Sequence, residues 1–152
     1  MKNIWKFTIS ILLPLLVGFI GGIFTASSVS VWYVGLSKPA FNPPSWIFGP
    51  VWTILYLMMG ISLYLIWIKK FDKKALTFFG IQLILNLLWS LIFFGMKMPG
   101  LAFIEIVLLL IAILFTMIYF YRINKVSTYL LIPYILWVSF AAVLNYFIFL
   151  LN

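Results

Sequence analysis

The residues of this chain that could do chemistry are amides and aromatic rings, set at helical spacing within apolar stretches. Gln82, Asn86 and Ser90 recur every fourth residue, and Trp89 and Phe93 lie beside them. One face of a helix in this region is therefore both polar and aromatic. Because an amide in hydrocarbon must find a hydrogen-bond partner, we expect this face to point into the protein.

Two other segments repeat this design. Trp137, Ala141 and Asn145 share one helical face, and Trp52 and Tyr56 share another. Several rings with a few amides and small residues between them are typical of a concave, mostly apolar pocket for a flat hydrophobic ligand. The alternative is that the amides only join helices by hydrogen bonds, and for Asn145 we favour this structural interpretation.

The composition excludes most other chemistry. The chain has no cysteine and no histidine, which removes disulfides, thiolate and imidazole catalysis, and the usual zinc and haem ligands. Its two carboxylates, Asp72 and Glu105, fall on different segments, which argues against paired-carboxylate catalysis. The net charge of +8 does not indicate nucleic-acid binding, because the basic residues lie at helix ends. We therefore expect no metal and no resident cofactor.

The elements that must position these residues are membrane-spanning helices. The chain is 66% hydrophobic and only 8% charged. A hydrocarbon core of about 30 Å needs roughly 20 apolar residues per helix, and lipid cannot satisfy free backbone groups. We predict an all-α fold, an integral membrane bundle of five transmembrane helices forming one domain over residues 1–152. The expected helices are 7–27, 46–68, 76–95, 101–121 and 128–150.

The positive charges predict the topology. With five helices, the N-terminus, residues 69–75 and residues 122–127 share one side. Of the ten Lys and Arg residues, eight are on that side: Lys2, Lys6, Lys69, Lys70, Lys73, Lys74, Arg122 and Lys125. The positive-inside bias then places the N-terminus in the cytoplasm and the C-terminus outside. The lysines at 69–74 have a second interpretation, binding of anionic lipid head groups, but topology alone is the simpler one.

The first apolar segment and the connection after it carry further signals. An apolar run from 7 to 24 exceeds the core of a signal peptide, so we expect a retained helix rather than a cleaved leader. Gly18, Gly22 and Ala26 form a small-residue stripe that suits close helix packing, within this chain or between two copies. Prolines in the segment 28–45 predict an ordered cap or a flexible lid on the outer face.

Glu105 is the only acidic residue within a predicted span, about one turn into the fourth helix. We expect it to lie near the interface, where it reaches water or pairs with Lys97 or Lys38. A proton relay is the alternative, but a relay normally needs further titratable groups along its path.

Long motifs in the chain resemble the translocator protein family, TspO/MBR, also called peripheral-type benzodiazepine receptors. The longest is SKPAFNPPSWIFGPVWTILY at residues 37–56, a highly specific run. Further matches are QLILNLLW at 82–89, FFG at 93–95, and Pro133, Tyr134, Trp137, Phe140 and Leu144 to Tyr146. The resemblance extends over all five predicted helices, in detail from about residue 32 to the C-terminus.

This resemblance implies a five-helix bundle, commonly a homodimer in membrane lipid, with a ligand cavity near the long first loop. It also implies binding of porphyrins, sterols, and synthetic isoquinoline carboxamides and benzodiazepines. The family's pocket positions fall on Tyr33, Pro44, Phe48, Gly49, Trp52, Asn86, Trp89, Trp137 and Ala141. In this interpretation the tryptophans stack on a planar ligand and Asn86 gives it a directional hydrogen bond.

The family's cholesterol-recognition pattern is absent at the end of the fifth helix, because no basic residue follows Tyr146. A match at Leu114, Tyr119 and Arg122 shows how little that pattern discriminates. We therefore expect a porphyrin-type ligand and a role in porphyrin sensing, transport or regulation. The composition, rich in Lys, Ile and Phe, favours the plasma membrane of a bacterium as location. The alternatives are a light-dependent porphyrin-degrading enzyme and a sterol or porphyrin transporter.

Overall fold

Five long helices account for most of the chain in the computed structural model, which describes residues 2–152. Each is long and apolar enough to cross a bilayer, and each exceeds its predicted length, the first by nine residues and the others by two to four. We name them α1 to α5 in chain order: Ile4–Tyr33, Ser45–Lys69, Lys73–Gly95, Pro99–Ile123 and Lys125–Leu151. The predicted all-α membrane bundle is confirmed.

Local sequence explains several helix ends. Asp72 caps α3 by accepting a hydrogen bond from the Ala75 amide at 2.9 Å. Asn124 caps α5 in the same way through the Val126 amide at 3.0 Å. Pro99 occupies the first turn of α4, where its missing N–H costs nothing. Between α3 and α4, Lys97 takes a positive φ of 57° to close the short link.

The prediction for the first connection was partly wrong. We expected it to begin near Ser28, but α1 continues through a π-helical turn over Val29–Tyr33. A π turn holds one residue more than an α turn and therefore rotates the side chains that follow. Tyr33 consequently lies on the helix and is buried, and the connection shortens to residues 34–44. A second π turn, Leu91–Gly95, ends α3.

The packing order of the helices leaves a gap on one side. α1 packs against α2 and α3, α3 against α4, and α4 against α5, so the short links join neighbouring helices. At the lysine-rich end, α2 closes the ring against the start of α5, where Ser62 donates a hydrogen bond to the Ser127 carbonyl at 2.7 Å. Toward the other end, the backbones of α2 and α5 separate, and side chains span the space between them.

The bundle is apolar on the outside as well as inside. Its buried core runs through α2 to α5 and includes Met59, Ile66, Phe79, Ile113 and Phe120. Many large apolar side chains, such as Phe19 and Ile84, are more than 60% exposed. A surface of this kind is stable against lipid tails and unstable in water, so the chain is a multi-pass membrane protein.

Candidate ligand-binding site

A cavity of about 450 Å³ lies in the gap between α2 and α5 and extends across to α1 and α3. Pockets that bind drug-sized molecules have volumes of this order. No residue of α4 lines it. Its aromatic lining residues are Phe19, Tyr33, Phe48, Trp52, Tyr56, Trp89, Phe93, Phe94, Trp137 and Phe140. The rest of the lining is small or aliphatic, with few polar groups.

The rings of the cavity wall hold one another in place. Trp89 stacks on Phe93 with centroids 5.1 Å apart, and Trp52 stacks on Tyr56 at 5.6 Å. Ring contacts of this kind are worth about 0.5–1.5 kcal/mol each beyond the area they bury. Because each ring is fixed by a neighbour rather than by a ligand, the flat faces are set before anything binds.

Small residues on α1 make the room for this cavity. Gly18 packs directly on the Tyr56 ring, since a β-carbon there would come within 2.5 Å of it. One turn later, Gly22 faces open space, and both Gly22 and Ala26 border the cavity. The predicted stripe therefore serves helix packing within the chain at Gly18 and forms cavity wall beyond it.

The first connection is fixed to the bundle at several points. The Tyr33 hydroxyl donates a hydrogen bond to Asn42 Oδ1 at 2.9 Å. Lys38 Nζ donates to the Tyr33 carbonyl at 2.7 Å and lies 4.8 Å from the centre of the Tyr33 ring. Further along, the Ser37 amide and carbonyl bond to the side chain of Asn152. Of the two predicted forms, the ordered cap describes this segment.

The structure brings together seven of the nine predicted site residues. The cavity is lined by Tyr33, Phe48, Gly49, Trp52, Trp89, Trp137 and Ala141. They come from α1, α2, α3 and α5, so residues distant in sequence meet at one place. Pro44 and Asn86 do not line it.

The prediction that Asn86 offers a hydrogen bond to a ligand is not supported by its surroundings. Asn86 Oδ1 accepts from the Tyr56 hydroxyl at 2.6 Å, and its Nδ2 donates to the Tyr134 hydroxyl at 2.9 Å. Tyr134 in turn donates to Gln82 Oε1 at 2.7 Å. This chain of bonds joins α2, α3 and α5 beneath the cavity. Asn86 is therefore part of the support of the site rather than of its surface.

Asn145 behaves as the structural interpretation predicted, and it also positions a cavity residue. Its Oδ1 accepts from Trp89 Nε1 at 3.0 Å, and its Nδ2 donates to the Pro99 carbonyl at 2.8 Å. The Trp89 indole is thus locked by its polar edge and offers a bound molecule only its face.

Trp137 is different from Trp89. It borders the cavity, contacts Phe48 and Phe140, and has a buried Nε1 that no group in residues 2–152 accepts from. A buried donor without a partner is costly, by about 1–3 kcal/mol. This nitrogen is enclosed by surrounding atoms, so Trp137 offers the cavity its ring rather than its N–H. The sequence singled out Trp137 as a ring and did not indicate this free N–H.

Sequence reasoning also missed part of the α1 wall. Leu15, Phe19 and Thr25 line the cavity together with the predicted small residues. Leu15 and Phe19 precede Gly18 and Gly22 by three residues, and Thr25 follows Gly22 by three, so the signal was the helical period of one face. Thr25 adds little polarity, because its hydroxyl donates to the Gly21 carbonyl at 3.1 Å.

The expectation that Glu105 reaches water or pairs with a lysine was wrong. The residue is only 6% exposed, and neither carboxyl oxygen has a hydrogen-bond partner among the described residues. The ion pair expected with Lys97 or Lys38 is not formed. Lys38 Nζ instead bonds to backbone carbonyls, and within residues 2–152 the one ion pair is Lys70 with Asp72. Glu105 does not line the cavity.

Comparison with known proteins agrees with this architecture. A model of the TspO/MBR family matches residues 10–151. The chain is 47% identical to the tryptophan-rich protein TspO of Archaeoglobus fulgidus over 152 residues, which cover 99% of each chain. It is 39% identical to the human translocator protein over 140 residues, 89% of this chain and 83% of the human one.

A third relative is the tryptophan-rich sensory protein of Cereibacter sphaeroides, 34% identical over 115 residues, which cover 76% of this chain and 73% of the relative. The family match extends over nearly the whole chain, and every residue that lines the cavity lies within it. This chain therefore belongs to the TspO/MBR family.

Proposed function

We propose that this membrane protein binds porphyrins and other flat hydrophobic molecules in the cavity between α1, α2, α3 and α5, and that it acts in porphyrin sensing, transport or regulation. The observation that carries the proposal is an apolar, ring-walled cavity enclosed by four helices. Relatives named as a translocator protein and a tryptophan-rich sensory protein are consistent with a binding or sensing role.

The cavity suits a planar guest because its rings present preset faces. Trp52 from α2, Trp89 from α3 and Trp137 from α5 enclose it from three helices. A flat aromatic molecule gains area burial and ring contacts against all three.

The charges of the site limit how a porphyrin would enter. No Lys or Arg lines the cavity, and Lys38 is engaged with carbonyls beside Tyr33. Burying a carboxylate there without a partner would be unfavourable. The carboxylates of a porphyrin must therefore remain at the mouth, where Gly49 and Thr53 are exposed. A neutral isoquinoline carboxamide has no such restriction.

The direct experiment is a binding titration of protoporphyrin IX with the purified full-length protein, followed by quenching of tryptophan fluorescence and by the porphyrin absorbance. Replacing Trp52 and Trp137 together by Phe exchanges two indole faces for smaller phenyl faces. We expect affinity to fall about tenfold, since the reduced ring contact at two positions is together worth about 1.4 kcal/mol.

The matched control is the Trp5→Phe, Trp67→Phe variant. These two tryptophans contact each other, with centroids 5.3 Å apart, and do not line the cavity. We expect this variant to bind as the wild type does. Unchanged affinity in the Trp52, Trp137 variant, or an equal loss in the control, would overturn the proposed site.

Light-dependent porphyrin degradation is a second candidate, favoured by the electron-rich Trp52 and Tyr56 rings that stack within the cavity wall. Illuminated and dark samples separate the two functions. Loss of the porphyrin spectrum that requires light, oxygen and intact cavity tryptophans indicates an enzyme, whereas a shifted but stable spectrum indicates a binding protein. Transport would instead appear as directional porphyrin flux into sealed vesicles that contain the protein.

A further inference from the structure

A second concavity, of about 540 Å³, lies at the lysine-rich end of the bundle, far from the ring-walled cavity. It forms where α2 ends, α3 begins and α4 ends. We call it the basic groove and define it by its lining: Lys69, Lys70, Asp72, Lys74, Tyr119, Arg122 and Ile123. It is the surface on which residues around the α2–α3 connection meet residues from the end of α4.

The basic groove holds more positive charge than its own acid can neutralise. Four of its lining residues are Lys or Arg and one is Asp. One oxygen of Asp72 is used to cap α3 through the Ala75 amide. The other lies 3.9 Å from Lys70 Nζ, in an exposed and therefore weak pair. Lys69, Lys74 and Arg122 form no ion pair within residues 2–152, so the groove is electrostatically suited to an anion.

One wall of the basic groove is rigid and partly apolar. The Arg122 guanidinium lies 5.4 Å from the centre of the Tyr119 ring, and that ring stacks on Phe78 at 5.1 Å. Stacking restrains the guanidinium before a ligand arrives, and a restrained guanidinium is well suited to phosphate. Next to the groove in sequence, Phe71 is 69% exposed. Phe78 also stacks on Phe115, a 45% exposed side chain of α4, so the groove borders the apolar surface that faces lipid tails.

We propose that the basic groove binds the phosphate head group of an anionic phospholipid in the leaflet at this end of the bundle. Phosphate is the charged group that the cations would recognise, and the adjoining apolar surface favours a lipid over free phosphate, because acyl chains can pack there. Topology needs positive charge at this end of the chain, but it does not need cations from three helix ends to meet around one stacked guanidinium.

The test measures lipid binding to the purified full-length protein in neutral detergent. Dioleoyl phosphatidylglycerol, dioleoyl phosphatidylcholine or inorganic phosphate is added, and retained lipid is counted by native mass spectrometry while thermal unfolding is followed in parallel. We expect phosphatidylglycerol to be retained and to raise the unfolding temperature, because a ligand of the folded state stabilises it. Phosphatidylcholine and inorganic phosphate should do neither.

Variants locate the site. Lys74→Gln with Arg122→Gln should weaken phosphatidylglycerol binding by about 25-fold, at roughly fivefold for each cation removed near the head group. Lys74→Gln alone, at an exposed position, should weaken it about fivefold without affecting folding. Lys125→Gln is the control, since Lys125 lies at the same end but does not line the groove.

Three results would overturn the proposal. Equal retention of phosphatidylglycerol and phosphatidylcholine would mean that the groove does not select an anionic head group. A loss in the Lys125 variant as large as in the Lys74 variant would mean that the general field of this end attracts the lipid. Stabilisation by inorganic phosphate equal to that by phosphatidylglycerol would identify a free-anion site instead.

Discussion

Replacing Gly60 by Ala tests the closest approach of α1 and α2. A β-carbon at position 60 would lie 2.8 Å from the Ser10 carbonyl oxygen and 2.9 Å from the Ile11 α-carbon. Both atoms belong to the backbone of α1, so no side chain can rotate away. Pro14 has no N–H to bond the Ser10 carbonyl within α1, and this oxygen instead lies against Gly60.

The magnitude follows from these distances. Carbon atoms in ordinary contact are about 3.5–4.0 Å apart, so the two helices must separate by roughly 0.6–1 Å to admit the methyl group. Overpacking of this size costs about 1–3 kcal/mol in well-packed interiors. At about 2 kcal/mol, we expect the unfolding temperature of the purified protein in detergent to fall by about 4–8 °C.

The control is Gly80→Ala on α3, where a β-carbon would meet no atom within 4 Å. Its unfolding temperature should stay close to that of the wild type, because substitutions at open positions usually change stability by less than about 0.5 kcal/mol. If Gly60→Ala melts together with Gly80→Ala and the wild type, the close approach of α1 and α2 at this point is refuted.

Three other substitutions test the interior and the helix links. Tyr134→Phe leaves Asn86 Nδ2 and Gln82 Oε1 without their shared partner. We therefore expect the free energy of unfolding, measured by SDS titration, to fall by about 1–2 kcal/mol. An unchanged midpoint would contradict the hydrogen-bonded chain. Glu105→Gln keeps the shape of a buried side chain that has no hydrogen-bond partner within residues 2–152 and removes its acidic group. Thermal stability should therefore be equal or higher. A marked loss of stability would mean that the carboxyl group has a partner after all. Lys97→Gly should raise stability slightly, by up to about 1 kcal/mol, because glycine adopts the positive φ of this link without steric cost. A fall in the unfolding temperature would instead show that the lysine side chain itself is needed there.

Much of the fold could be predicted because the bilayer allows so few solutions. Long apolar runs, bounded by Pro99 and by clusters such as Lys69 and Lys70, mark helices whatever their neighbours are. The helix ends were less certain, since the caps at Asp72 and Asn124 depend on single hydrogen bonds that a hydropathy pattern does not contain. The continuation of α1 to Tyr33 was missed for a similar reason: apolar residues in a loop and in a π turn look alike.

The candidate site could be predicted as a set of rings, but not as a set of hydrogen bonds. Trp52 and Trp137 were placed on inward faces by helical period, and both line the cavity. The period does not say which polar group meets which partner. We therefore predicted Asn86 as a ligand contact, whereas its amide is hydrogen-bonded to two tyrosines. The period likewise did not indicate that the Trp137 N–H has no partner within residues 2–152.

The two π turns let this architecture lose a residue without losing its register. Deleting one residue from 29–33 or 91–95 would convert a π turn to an ordinary α turn and keep the helix continuous. Because the deleted residue is the extra one that the π turn holds, the side chains beyond it would keep nearly the same direction around the helix axis. A single-codon loss near the end of α1 would therefore leave Tyr33 beside the cavity, so the length of this helix can vary by one residue without any new element of structure.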